Sequence, residues 1–180
     1  MKPLYRGLVL TALHVALVLS LGGKFLYDRA TRPHVWARTA NYDPDLPIRG
    51  RYVSLRVEVA PEGFSANDPK YGNQYVYRVP VRLAAKDDKL TAIATSQEDT
   101  SASVYVTPTA QYIQGRMTNS HAFYIDEPVA FFIPEHAPNP AALKPGEELW
   151  VEVTVPKKGP PRPIRLGIKK DGVLTPLHLE

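Results

Sequence analysis

Few side chains in this 180-residue chain are placed to do chemistry. The histidines are His14, His34, His121, His136 and His178, and no two have the spacing of metal ligands. Zinc needs three or four ligands in fixed geometry, so no metal is expected. There is no cysteine, which excludes disulfides and thiol nucleophiles. Glycine-rich phosphate loops of the GxxxxGK and GxGxxG kinds are absent, and no cofactor is expected. Two groups remain. Tyr71, Tyr75 and Tyr77, beside Lys70 and Arg78, offer a stacking surface for a glycan or lipid headgroup; Tyr75 and Tyr77 share one face of a strand. Lys157, Lys158, Arg162, Arg165, Lys169 and Lys170 have no acidic residue among them. They suit anionic headgroups or an acidic partner loop.

The elements that must position these groups begin with an uncharged apolar run, residues 7–23, placed just after Lys2 and Arg6. At helical rise it covers roughly 26 Å, close to a hydrocarbon core, and Phe25, Leu26 and Tyr27 extend it. The reading is an uncleaved transmembrane anchor over residues 1–27. A cleaved signal peptide is the alternative, with Ser20 and Gly22 as its small residues. A short basic head before a long domain stays in the cytoplasm, which places the domain in the periplasm or outside. His14, near the middle of the run, is the expected contact with a membrane partner.

Charge divides sharply. Residues 1–49 hold seven Lys/Arg and three Asp/Glu; residues 50–180 hold fifteen of each. The basic excess therefore belongs to the membrane segment, and the remainder lacks the field of a nucleic-acid binder. Eighteen prolines argue against long helices elsewhere. Period-two alternation predicts strands instead. In Arg51–Val59, Val53, Leu55, Val57 and Val59 take one face, and Tyr52, Ser54, Arg56 and Glu58 the other. Further strands are predicted over 79–83, 90–94, 102–106, 111–116, 122–133, 149–155, 164–168 and 173–177. Lys86–Lys89 and Asp171-Gly172 read as tight turns, and 140–144 as a short helical turn. The fold expected is mainly β, an antiparallel sandwich or barrel-like domain over 50–180, joined to the anchor by a linker over 28–49.

The stretch Gly50-Arg51-Tyr52-Val53-Ser54-Leu55-Arg56-Val57, after Asp43-Pro44-Asp45-Leu46-Pro47, resembles the signature of the GDYXXLXY family of bacterial membrane-anchored proteins. Gly50, Tyr52 and Leu55 match; Arg51 replaces the motif aspartate and Val57 its final tyrosine. Gly115-Arg116, Phe131-Phe132-Ile133-Pro134-Glu135 and the closing strands follow in the family's order. The resemblance implies one N-terminal helix, an exported β domain, no established activity and a multi-spanning membrane protein as partner. The polar residues matching its motifs, Arg49, Arg116 and Glu135, would converge with Gly50 and Tyr52 on one binding cleft, an Arg pair around a carboxylate. A Ser-Lys peptidase of the signal-peptidase kind would need a Ser-Met pair near the anchor, and none exists.

Two functions follow. The first is a non-enzymatic accessory protein of the cytoplasmic membrane that acts with a multi-spanning partner. The second is an envelope enzyme on a lipid-linked or glycan substrate, with Glu135 as acid or base and Arg116 holding an anion. The residues favour the first.

Overall fold

The computed structural model describes residues 3–41, 51–64, 78–95, 104–113 and 116–179, in two units, 1–32 and 33–180. The first is a single helix, α1 (Pro3–Thr31). Proline suits its opening turn, where the amide has no intrahelical partner. Within it, Gly7–Thr31 is long and apolar enough to cross a membrane. The helix continues one turn past Tyr27, where Asp28 pairs with Arg32 at 3.4 Å. Pro33 then disfavours helical backbone at Arg32 and ends it.

The second unit is all β. Its strands are β1 (His34–Asn41), β2 (Arg51–Glu62), β3 (Val79–Lys86), β4 (Lys89–Ala94), β5 (Val104–Ile113), β6 (Arg116–Ile125), β7 (Val129–Ile133), β8 (Glu147–Thr154), β9 (Arg162–Lys170) and β10 (Val173–Pro176). Residues 34–41 correct the linker expected over 28–49: Val35, Ala37 and Thr39 point inward and are buried, so β1 opens the domain three residues after α1 ends. The alternation is present in the sequence but interrupted by Trp36 and Arg38 on the other face. The stretch predicted as one strand over 122–133 is two, the end of β6 and all of β7, parted at Asp126. Residues 140–144 form turns, with Asn139 Oδ1 accepting the Ala141 amide at 3.0 Å.

Strand β2 is shared by two sheets. In order β2-β4-β3-β5-β6, closing back on β2, five strands make a barrel whose β2–β4 pair is parallel. From the other half of β2 runs the open series β2-β1-β8-β9-β10, with β7 on β2's remaining edge. Turns hold the hairpins. Asp87 and Asp88 lie at φ 50° and 56°, and Asp171 and Gly172 at 48° and 84°, the backbone of a type I′ turn. One core runs through both sheets: Leu55, Val57 and Val59 of β2 meet Val81, Val106 and Ile125 in the barrel and Val35, Val151 and Leu166 in the extension.

Candidate functional site

Among the described site residues, Tyr52 lies on β2, Arg116 on β6, Glu135 after β7 and His14 in α1. Arg49 and Gly50 lie outside the described residues, as do Tyr71, Tyr75 and Tyr77. Tyr52 is half-buried, its ring centroid 6.2 Å from that of Phe132, directly across from it on β7. Glu135 lies exposed in the turn after β7, near the start of β2, since Ile133 pairs with Arg51. The backbone of Arg116 opens β6 opposite Ile113. Strand β6 meets β2 through Phe123 and Tyr124, opposite Val59 and Glu58, so Arg116 lies beyond the far end of β2. The register thus groups Tyr52 with Glu135 and places Arg116 at the opposite end. In α1, His14 is exposed and its Nδ1 lies 2.8 Å from the Leu10 carbonyl oxygen. A carbonyl only accepts, so Nδ1 is the donor in this contact and Nε2 is the ring nitrogen left for a neighbour.

The structure assembles a different cluster, on the face of β8-β1-β2 turned away from the core. Arg38 of β1 is flanked by carboxylates from both neighbouring strands. Its guanidinium donates to Glu148 Oε1 at 3.0 Å and lies 3.9 Å from Glu58 Oε2. The second distance exceeds a hydrogen bond, and Oε2 is buried with no hydrogen-bond partner among the described residues. Burial raises the Glu58 carboxyl above the usual range; Arg38 opposes the shift and Glu148 adds to it. Tyr124, buried directly across on β6, has its phenol raised by burial and by Glu58, with Arg38 and Arg56 opposing. The Arg56 guanidinium stands 5.9 Å from the Tyr124 ring centroid. Chemically this is a half-sheltered carboxyl with an unused acceptor, poised to take a donor from a ligand or partner. Sequence reasoning missed it because Arg38 fell in the presumed linker. The outward position of Glu58 was legible, but only pairing through β1 brings it together with Glu148.

The same face continues over β9. Arg165 pairs with Glu152, and Lys170 lies 3.6 Å from Glu147. Lys169 Nζ stands 4.4 Å from the Trp150 ring centroid, and Arg165 5.4 Å from that of Trp36. The β9 cations read from the sequence as an unopposed patch are therefore met by β8's acids and by two half-buried tryptophans. Lys157 and Lys158, in the loop between β8 and β9, are exposed and have no ion pair among the described residues. Also among those residues, no three His, Asp or Glu side chains are grouped to hold a metal ion.

The chain belongs to the GDYXXLXY protein family, which it matches over residues 15–166. The match takes in half of α1 and the β unit as far as the middle of β9. No curated protein and no solved structure matches it.

Proposed function

We propose that this chain is a single-pass accessory protein of the cytoplasmic membrane, with its β unit on the outer side, working with a multi-spanning membrane partner. The observation that carries the reading is α1. Its apolar side chains stand exposed from Leu8 to Leu26, and its polar ones turn back on the helix. Thr11 donates to Gly7 O at 3.0 Å, Ser20 to Leu17 O at 2.9 Å, and His14 bonds Leu10 O. Such a helix is satisfied in lipid and presents one ring nitrogen, His14 Nε2, to a neighbouring helix. Anchoring confines both partners to one plane and raises their effective concentration. The basic residues before the apolar run, Lys2 and Arg6, support the orientation. A general acid at Glu135 would call for a carboxyl sheltered from water, and Glu135 is exposed.

The test is purification of the full tagged chain from its own membranes in mild detergent, with mass spectrometry of what accompanies it. A stoichiometric multi-spanning protein, at the intact mass of this chain, is the expected result. Recovery alone, or as a clipped form without the first twenty-odd residues, overturns the proposal. His14→Leu should lower the recovery of the partner while leaving the β unit folded.

A further inference from the structure

We infer that the β8–β9 loop is a lipid-headgroup contact, with Lys157 and Lys158 as its ligands to an anionic membrane surface. The inference rests on the membrane-anchor reading and adds a second point of attachment to it. Three observations support it. First, the loop lies where the chain enters the β unit: His34 pairs with Thr154, and the Val155 amide donates to the Pro33 carbonyl at 3.1 Å. Pro33 is two residues past the end of α1, so the loop adjoins the residue at which the chain leaves the anchor helix for the β unit.

Second, the loop's shape presents its lysines. Val155, Pro156 and Pro161 are buried and fix both ends, while Gly159 turns at φ 91°. Lys157 and Lys158 are left exposed between them. Third, the charge is unspent. Arg165 and Lys170 have carboxylates from β8, and Lys169 has Trp150, whereas Lys157 and Lys158 have no ion pair among the described residues. No acidic residue occurs from Val153 to Lys170 to repel a phosphodiester. A lysine near an anionic membrane contributes about 1 kcal/mol, or about fivefold in the ratio of docked to undocked loop. The pair together gives roughly thirtyfold, weakened as salt rises.

The absence of cysteine makes the test direct. Pro160→Cys, or Lys157→Cys as a second site that keeps Lys158, carries a single fluorophore on the full-length chain. The chain is floated with vesicles of phosphatidylcholine, with or without phosphatidylglycerol, containing a headgroup-nitroxide quencher. The expected result is quenching that needs phosphatidylglycerol. In the Pro160→Cys chain, Lys157→Gln with Lys158→Gln lowers the docked ratio roughly thirtyfold. A label at Asp171→Cys, in the turn at the other end of β9, is indifferent to lipid charge. Flotation with equal quenching in both lipids, or quenching unchanged by the lysine variants, overturns the loop contact and leaves the anchor standing. Failure to float in either lipid removes the anchor, and the contact with it. A label shielded only in native membranes assigns the lysines to an acidic protein loop and also overturns the proposal.

Discussion

Gly167 is the position where one added carbon should do most damage for its size. It sits on β9 opposite Trp150 of β8 and Pro176 of β10. A Cβ there would lie 3.0 Å from Trp36 Cζ3, 3.1 Å from Trp36 Cη2 and 3.1 Å from the Thr175 carbonyl oxygen. Carbon atoms in good contact stand ~3.5–4.0 Å apart, so the methyl overlaps the indole by roughly half an ångström or more. Neither neighbour yields easily. Thr175 O is backbone of a paired strand, and the indole has Arg165 beside its ring. Overpacking of this kind costs about 1–3 kcal/mol. For a unit of this size that is roughly 2–12 °C in unfolding midpoint. Gly167→Ala should therefore lower the midpoint and, in a Trp150→Phe background, red-shift Trp36 emission as the ring is pushed out. Trp36→Leu removes the two ring contacts. In that background Gly167→Ala should cost at least about 1 kcal/mol less, a coupling that a double-mutant cycle isolates. An unchanged midpoint, or the same cost with and without the indole, would refute the reasoning.

Glu58 should give the fold a pH dependence of definite sign. Burial raises its carboxyl, so the folded chain holds a proton that the unfolded chain has released, and stability falls as pH rises toward the folded value. Urea midpoints of Glu58→Gln relative to the parent should rise from acid to neutral pH; a constant difference would remove the shift. Leu55→Ala, at a side chain with no exposure, should cost about 3–5 kcal/mol in thermal or urea unfolding, and a loss under 1 kcal/mol would mean that β2 is not the centre of the core. Asp126 accepts from both Thr107 and Arg78 and is 12% exposed, whereas Arg78 is 66% exposed. Asp126→Ala should cost about 1–3 kcal/mol and Arg78→Ala less than about 1; the reverse order would show that the ion pair, not the buried hydroxyl bond, holds that corner.

Local pattern announced the strands and left their partners unstated. The assignment of Val53, Leu55, Val57 and Val59 to one face of β2 holds residue by residue, because burial on one side imposes period two whatever the topology. The turns at Asp87-Asp88 and Asp171-Gly172 were legible because positive φ selects these residue types. What no window of sequence displays is that β2 runs parallel to β4 or that β1 inserts between β2 and β8. Those pairings join residues up to 120 positions apart, and the two through β1 build the Arg38, Glu58 and Glu148 cluster. The cation-rich stretch shows the same gap from the other side. Of six charges unopposed in sequence, two are left with no ion pair or ring contact among the described residues once β9 lies beside β8, since Lys169 meets Trp150 and Arg162 is also engaged.

The pairing of β2 gives a physical meaning to the family signature. Among the described strands, β2 alone hydrogen-bonds to four others, β1, β4, β6 and β7, and so joins barrel to extension. Leu55 of the motif is fully buried where β1 and β7 both pair, and the Tyr52 ring lies tilted against that of Phe132 from the second motif segment, Phe131 to Glu135. Two signatures far apart in sequence are thus opposite sides of one ladder. Val57, in the place of the motif's last tyrosine, is also fully buried, so that position is filled according to the volume around it rather than for reaction. A signature made of ladder and core residues is held by folding, and it leaves chemistry unspecified. The proposed contacts would lie off that ladder, at His14 in the helix and at the lysines of the β8–β9 loop, and the half-sheltered Glu58 stands on the outer face.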